Sequence, residues 1–411
     1  MNPPDPHAQP LVVAGASVRA LAASAVRAGW QVHAADLFAD LDLLDVATHA
    51  VRVRPYPEGL PAAVAAFPPG PWLYGGALEN HPEVIAEISR DRPLAGCDPA
   101  AVAAVRDPGS LAAAVRGLGL QFPETRPTPD GIPGDGSWLV KPLRSAGGHG
   151  IADWRGADIG PTASGERVWQ RRVRGRPWSA SYLLARNAGT LLGLSRQFVG
   201  RRWCHARPYA FCGCIEFEPD ALGADVADRL HDLGDLLADH FGLTGLVGVD
   251  LVLDRGRVHV LEVNPRPTAS MELLERATGL CLAAAHMTAC GFPTAVVTVP
   301  RPRRGTWSKA ILYADGAIEI DDEAVAAFRA AARETHAGWP LLADIPAAPQ
   351  TISAGGPVCT IFAHGGSPRE SLAALRRRIR RFSRPAAARP EGRPHETASG
   401  TRPRWSPDRS P

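Results

Sequence analysis

The chain has 411 residues, of which 45% are hydrophobic and 21% charged, and its formal net charge is +3. This composition is typical of a globular protein with two or three domains and excludes a largely disordered chain. The small net charge argues against a nucleic-acid or membrane partner, and no apolar run approaches the length of a transmembrane helix.

The first hundred residues predict an α/β domain. Residues 11–14 form an apolar run, Gly15-Ala16-Ser17 follow as a turn, and a helical stretch continues to Ala28 before a second apolar run at 31–35. This order predicts a βαβ unit in a parallel sheet. The turn at Gly15 is a degenerate dinucleotide fingerprint, because the second and third glycines are missing, and it favours a plain strand-to-helix connection.

The N-terminal segment and the cysteines predict the cellular compartment of the protein. The N-terminal residues lack the positive region and the unbroken apolar core of a secretory signal. Seven cysteines, an odd number, fit reduced thiols, so a cytoplasmic protein is expected. Cys204, His205, Cys212 and Cys214 superficially resemble metal ligands. However, no second pair follows at zinc-site spacing, and residues 212–217 predict a strand with buried cysteines.

The rest of the chain predicts two further domains between tails. Residues 11–100 are expected to form the first domain, residues 101–300 a second and residues 301–383 a small β-rich third. The polar residues 1–10 and the Pro/Arg/Ser-rich residues 384–411 are expected to be disordered. Beyond the elements already named, a strand ending in a glycine turn is predicted at 71–80. Helices are predicted at 82–90, 111–118, 221–240 and 368–380, and further strands at 137–142, 168–173, 246–254, 258–264, 310–313, 318–320 and 358–362.

Lysine is rare, which draws attention to the two positions that have it. Only Lys141 and Lys309 are lysines among the 45 basic residues. Lys141 ends a predicted strand and precedes a loop containing Gly147 and Gly148, whose backbone N–H groups could approach phosphate oxygens. A plain hairpin is the alternative. For Lys309 a solvated strand start is preferred over a substrate contact.

A second constellation follows in two predicted strands. Asp250 lies twelve residues before Glu262, and Asn264 and Arg266 complete a Glu-x-Asn-x-Arg motif. Two carboxylates and an amide oxygen are hard ligands suited to Mg²⁺. Carboxylates among Val, Leu and Gly are costly to bury unless a cation compensates them. The sequence therefore predicts a metal site, with surface acids at strand ends as the alternative.

Because side chains alternate between the two faces of a strand, the metal site also predicts how the two strands pair. A two-residue turn at Arg255-Gly256 would place Asp250 and Glu262 on opposite faces of the hairpin. We instead predict a three-residue loop, 255–257, which pairs Asp254 with Val258 and sets Asp250 opposite Glu262. The same parity puts residues 258, 260, 262 and 264 on one face.

Together these motifs resemble the ATP-grasp superfamily. The match is the order of strand, Lys141, glycine loop, hinge strand, Asp250 and Glu-x-Asn-x-Arg, and it covers residues 11 to about 300. The resemblance implies an α/β ATP-grasp fold with an N-terminal Rossmann-like domain and a small C-terminal β-rich domain, and it implies ATP with Mg²⁺ or Mn²⁺ as cofactors. The chain looks most like predicted carboligases distantly similar to biotin carboxylase. Similar proteins accompany genes of one-carbon metabolism, which suggests a cofactor-assembly ligase.

The resemblance also implies roles for individual residues. Arg106 stands where the family often has lysine, Asp250 where glutamate is more usual, and Gln170 where an acid is common. Ser17, Arg19, Glu79 and Asn80 are candidate substrate contacts because they follow strands of the first domain. The implied catalytic residues are Lys141 and Arg266, the implied metal ligands are Asp250, Glu262 and Asn264, and the implied ATP contacts are Arg106, Lys141, Gly147, Gly148, Gln170 and Val173.

The predicted function is ATP-dependent ligation of a small-molecule carboxylate to an amine or similar nucleophile, through an acyl phosphate. Carboxylation through carboxyphosphate and a kinase reaction are alternatives within enzymes. A non-catalytic ATP-binding regulatory protein and an NAD-dependent oxidoreductase are alternatives of other classes. The sequence names neither substrate, and a homodimer is left open.

Overall fold

The computed structural model describes residues 9–157, 166–292, 294, 296 and 300–383. The N-terminal part is a four-stranded parallel sheet in the order β3-β2-β1-β4, as the βαβ pattern predicts. Pro10, expected in the tail, is the first residue of β1, and residues 1–8 lie outside the described part. The elements are β1 (Pro10–Gly15), α1 (Arg19–Arg27), β2 (Gln31–Asp36), α2 (Leu41–Val46), β3 (His49–Arg52), α3 (Leu60–Ala65), β4 (Trp72–Tyr74), a 3₁₀ turn (Leu78–Asn80) and α4 (Pro82–Ser89).

A small antiparallel sheet follows two short helices. Asp98 and Asp107 cap these helices by accepting hydrogen bonds from backbone N–H groups, so the second begins three residues before the predicted start at Leu111. The sheet has the order β5-β8-β6-β7, and Ile132, Trp138 and Trp154 form its own small core. The elements are α5 (Pro99–Arg106), α6 (Pro108–Arg116), β5 (Thr125–Arg126), β6 (Trp138–Pro142), β7 (Ala152–Asp153) and β8 (Arg167–Arg171).

The centre of the molecule is an eight-stranded sheet. Its middle contains β9 (Arg176–Ala185) and β10 (Ala188–Val199), which the sequence pattern did not predict. On β9 the buried apolar residues alternate with Ser179 and Ser181, which are also buried, so the usual apolar–polar contrast is weak. The neighbouring elements are β11 (Phe211–Phe217), α7 (Ala224–Asp239), β12 (Gly245–Asp254), β13 (Arg257–Asn264), α8 (Met271–Thr278) and α9 (Leu282–Ala289).

The C-terminal strands extend this same sheet. Its order is β13-β12-β9-β10-β11-β14-β20-β18, and β14 pairs with β11 through Ala310 opposite Gly213. Helix α11 covers the far end with buried Leu375, Ile379 and Phe382. The elements are β14 (Thr306–Tyr313), β15 (Ile318–Ile320), α10 (Asp322–Ala332), β16 (Thr335–His336), β17 (Trp339–Pro340), β18 (Leu342–Ala343), β19 (Gln350–Ile352), β20 (Pro357–Gly365) and α11 (Pro368–Ser383).

The predicted domain boundaries remain a prediction, and the tail at 384–411 lies outside the described residues. Within the described ranges, no helix is both long and apolar enough to span a bilayer. The cysteines expected in the core are there: six of the seven are buried, and Cys290 is partly buried. Cys212 lies in β11 as predicted, and its thiol donates to the carbonyl of Phe198.

Candidate active site

The hairpin of β12 and β13 brings the two predicted carboxylates together, but not through the predicted loop. Asp254 pairs with Arg257, so the connection is the two-residue turn Arg255-Gly256 rather than a three-residue loop. Both turn residues have positive φ, 47° and 80°, which is the signature of a type I′ turn. That turn matches the twist of the two strands, and the loop prediction was therefore wrong.

A β-bulge restores the predicted pairing. The register shifts between Asp250 and Leu251, because Leu251 pairs with Val260 while Asp250 pairs with Glu262. Leu261 is the extra residue, and it moves Glu262 into the position opposite Asp250. The prediction that residues 258, 260 and 262 share one face was wrong. Adjacent residues of β12 point to opposite faces, and their partners Val260 and Glu262 must do the same.

Polar side chains from three neighbouring strands, β9, β10 and β13, surround the carboxylate of Asp250. Gln197 Nε2 donates to Asp250 Oδ1 at 2.7 Å, and Asn264 Nδ2 donates to Oδ2 at 3.2 Å. Burial and the charge of Glu262 raise the pKa of Asp250 to about 7, although hydrogen bonds from Ser179, Asn264 and Gln197 lower it. Ser179 and Gln197 were not predicted, because their strands were not recognised.

This arrangement fits a magnesium ion. Two like charges forced to be neighbours are relieved by a divalent cation, and carboxylate and amide oxygens are its preferred ligands. Among the described residues no group of three or more His, Cys, Asp or Glu is arranged for a metal. Two carboxylates and Asn264 would leave coordination positions for phosphate and water, which is how Mg²⁺ is usually held in nucleotide sites.

Lys141 on β6 contacts Gln170 on the neighbouring strand β8. Leu139 on β6 pairs with Gln170 on β8, and Lys141 Nζ donates to Gln170 Oε1 at 3.2 Å. Gln170 is 4% exposed, and its Nε2 donates to Thr125 Oγ1 at 3.1 Å, so its orientation is fixed. Beyond it, Val173 borders a cavity of about 470 Å³ beside the connection from β8 to β9.

The glycine loop requires glycine at one position in particular. Gly147 and Gly148 have φ of 62° and 79°. A Cβ on Gly148 would lie 2.0 Å from the carbonyl oxygen of Tyr209, whereas one on Gly147 would meet nothing within 4 Å. The Phe211 N–H donates to Gly147 O at 2.9 Å, so the loop lies against the segment before β11.

Arg266 forms a buried ion pair with Glu79. Its Nε and Nη2 donate to the two carboxylate oxygens at 2.7 and 2.6 Å. Burial alone would raise the pKa of Glu79, but the charge and hydrogen bonds of Arg266 outweigh burial and lower it. Glu79 is therefore engaged by the protein, at 2% exposure, rather than open to solvent.

Arg106 has the neighbouring residue as its partner. Arg106 Nη2 donates to Asn80 Oδ1 at 2.7 Å and lies 3.2 Å from Leu143 O. A cavity of about 50 Å³ is lined by Arg106, Lys141, Gln170 and Glu262 together. Residues predicted from four separate segments of the sequence thus meet at one cleft.

Ser17, Arg19 and Lys309 do not line this cavity. Ser17 is exposed at the turn after β1. Arg19 is buried and pairs with Glu272 at 2.7 Å and with Asp344 at 2.8 Å. Lys309 is 4% exposed and its Nζ lies 3.0 Å from Glu272, so the interpretation as a solvated strand start was wrong. A buried ammonium needs a counter-charge, and α8 supplies it from a part of the sequence 37 residues away.

Comparison with known proteins identifies a domain family for this part of the chain. Residues 107–270 match the sequence profile of the ATP-grasp domain family. A stretch of 65 residues is 32% identical to the carbamoyl phosphate synthase large chain of Myxococcus xanthus, and it makes up 16% of this chain but only 6% of that protein.

Solved structures extend the likeness beyond that domain. Biotin carboxylase of Campylobacter jejuni, in its β,γ-ATP complex, superimposes with a TM-score of 0.64 and 12% identity over 89% of each chain. An L-amino acid ligase of Bacillus licheniformis gives a TM-score of 0.61 and 14% identity over 90% of this chain and 97% of that one. At such identities the likeness establishes the fold. The profile match identifies residues 107–270 as an ATP-grasp domain, and the solved structures show that the fold around it is shared with these proteins.

Proposed function

We propose that the chain is a ligase that uses Mg-ATP to convert a carboxylate into an acyl phosphate, which an amine or similar nucleophile then attacks. The observation that carries the proposal is that Glu262, which pairs directly with Asp250, lines a cleft together with Lys141 and Arg106. Phosphoryl transfer needs a cation site and positive charge on opposite sides of the phosphates, and this cleft has residues for both.

In the proposed mechanism, acidic and amide side chains hold the cation, and basic side chains contact the phosphates and the acid. Asp250, Glu262 and Asn264 would hold Mg²⁺, which neutralises phosphate charge when bound. Lys141 and Arg106 would contact phosphate oxygens from the other side of the cleft, and the N–H groups around Gly147 and Gly148 would lie above them. Arg266 would contact the acid through the second hydrogen of Nη1, because Glu79, Asn264 and Pro267 occupy its other four N–H donors.

The reaction then proceeds in two balanced steps. A carboxylate oxygen of the acid attacks the γ-phosphorus, the bond to the bridging oxygen breaks, and ADP leaves. The amine next attacks the acyl carbon, inorganic phosphate leaves with its bridging oxygen, and the amine loses one proton. No side chain is required as a covalent nucleophile, since binding and charge stabilisation supply the catalysis.

The cellular setting is part of the proposal. The odd number of cysteines, seven, suits the cytoplasm, where thiols stay reduced. Assembly of a one-carbon cofactor and a homodimeric state are finer proposals, and the first is supported by family resemblance alone. Light scattering of the purified chain would test the dimer.

A screen of ADP release tests the function. Purified protein with Mg-ATP is supplied with carboxylic acids, each with and without a panel of amines, and with bicarbonate in a separate arm. The expected result is ADP formation that requires one class of acid and increases with an amine. ADP release that depends on bicarbonate alone would favour carboxylation, and a stable phosphorylated product would favour a kinase. No ADP release with any acid would contradict the ligase.

A further inference from the structure

We propose that the segment from Tyr74 to Asn80, which belongs to the N-terminal sheet, positions the two arginines of the active site. In this assignment Glu79 acts through Arg266 and Asn80 acts through Arg106, so neither is a substrate contact. The proposal rests on the proposed function, since it takes Arg106 as a phosphate contact and Arg266 as a contact of the acid.

The path of the segment supports the assignment. After β4 ends at Tyr74, Ala77 adopts a left-handed conformation with φ of 71°, and a 3₁₀ turn holds Leu78, Glu79 and Asn80 in the interior. A non-glycine residue at positive φ is a strained conformation that persists only where the surroundings fix it. Here the strained residue directly precedes the turn that contacts both arginines.

Three successive contacts tie this segment to the active site. The Tyr74 hydroxyl donates to the carbonyl of Pro265 at 2.9 Å, next to Arg266 itself. Glu79 receives two hydrogen bonds from Arg266, and Asn80 receives one from Arg106. The backbone and the guanidinium of the Arg266 loop are therefore both held from the N-terminal sheet.

Glu79 presents almost no accessible surface to a substrate, because its side chain is buried against Arg266. Both of its carboxylate oxygens accept from Arg266, and its side chain is only 1% exposed. Arg266 in turn keeps Nη1 within 3.1 Å of Pro267 O and Nη2 within 3.3 Å of Asn264 Oδ1. Rotation of this guanidinium would break all of these contacts at once, which fixes its plane next to the metal ligand Asn264.

Asn80 holds Arg106 in the same way. It is 6% exposed, and its Oδ1 accepts from Nη2 at 2.7 Å. Arg106 lines the cleft cavity with Lys141 and Glu262. Because Glu79 and Asn80 are adjacent, their Cα atoms are about 3.8 Å apart, and the two arginines share one rigid support.

The first half of the proposal is that Asn80 positions Arg106. Calorimetric measurement of MgADP binding tests it without any substrate. Asn80→Ala and Arg106→Ala are each expected to weaken binding by about tenfold. The double variant should bind no more weakly than Arg106→Ala, since Asn80 acts only through that arginine. Asn80→Asp keeps an oxygen acceptor and should restore affinity, and Glu87→Gln, on the exposed face of α4, is the matched control.

Two outcomes would overturn this half. One is a further loss of affinity when Asn80→Ala is added to Arg106→Ala, because Asn80 would then contact nucleotide itself. The other is undiminished binding by Arg106→Ala, because there would be no phosphate contact to position. Neither depends on the ligase reaction, so a failed ADP-release screen is distinguishable from a failed positioning role.

The Glu79 half is tested by separating kcat from the KM of the acid and the affinity for MgADP. Glu79→Asp keeps the charge but retracts the carboxylate by one methylene, and Glu79→Gln keeps the length but loses the charge. Both are expected to lower acid-dependent kcat/KM at least tenfold while MgADP affinity stays within twofold. Circular dichroism confirms folding, and Glu79→Asp remains informative if Glu79→Gln unfolds. Full activity of folded Glu79→Asp would overturn the positioning role.

Discussion

At the scale of single residues, the pairing of Asp250 with Glu262 links stability to metal binding. The pKa of Asp250 is raised to about 7 by burial and by Glu262, against about 3.9 in an unfolded chain. A carboxyl whose folded pKa is raised binds its proton more tightly in the native state. Its contribution to stability is therefore present at low pH and is lost as the pH rises from about 4 through 7 in the metal-free protein.

Glu262→Gln should expose this link. The variant removes the like charge, so the metal-free protein should melt a few degrees higher at pH 8, while Mg²⁺ should no longer raise its melting temperature or support turnover. Thermal unfolding in chelator and in Mg²⁺ measures both effects, with Glu87→Gln as the control. An unchanged stabilisation by Mg²⁺ would show that the ion binds elsewhere.

Lys141→Ala should weaken nucleotide binding without unfolding the chain. The variant removes one hydrogen bond to Gln170, whose amide remains bound to Thr125, so the small sheet should keep its structure. Loss of a charge-assisted phosphate contact is expected to reduce MgADP affinity by about tenfold or more. The exposed Arg144→Ala is the control, and a fully active Lys141→Ala protein would contradict the phosphate role.

At the scale of elements, the glycine loop offers a matched pair of substitutions. Gly148→Ala combines a left-handed backbone with a Cβ 2.0 Å from Tyr209 O, whereas Gly147→Ala has only the backbone strain. Because relief of the clash must move the loop, Gly148→Ala should weaken ATP-analogue binding clearly more than Gly147→Ala. Calorimetry of both variants measures the difference. Equal affinities would mean that the position of the loop does not matter for the nucleotide.

At the scale of the whole molecule, the C-terminal strands are continuous with the central sheet. Strand β14 pairs with β11, and β20 pairs with β14, so the sheet crosses residue 300 without interruption. The segment after 383 is different in composition, being rich in Pro, Arg and Ser. Deletion of residues 384–411 should leave melting temperature and activity almost unchanged, because a segment without apolar periodicity cannot offset its ordering entropy. A large loss of melting temperature would show that it packs.

The overall reaction gives a second prediction at this scale. Hydroxylamine should intercept the activated acyl group and form a hydroxamate when Mg-ATP and the correct acid are present. Colorimetric detection of the hydroxamate, together with measurement of ADP and phosphate, checks the acyl phosphate route. Formation of AMP and pyrophosphate would instead indicate adenylation, and the variant Glu262→Gln serves as the inactive control.

The motifs that the sequence determined by itself are local in the chain. Each motif spans only a few residues, so spacing and strand alternation reveal it. One motif is Lys141 with its glycine loop, and the other is Glu262 with Asn264 and Arg266. The same local logic predicted five of the eleven helices and about half of the strands in the described part. It missed β9 and β10, where buried serines remove the contrast between the two faces.

Tertiary structure alone decided which partners these motifs have. Glu79 is 187 residues from Arg266, and Gln197 is 53 residues from Asp250, so no local pattern relates them. The bulge at Leu261 is a further case, because a sequence pattern predicts alternation but not the one residue that interrupts it. Charged groups brought together by folding must be paired or compensated in a low-dielectric interior, and only the assembled sheets determine which groups those are.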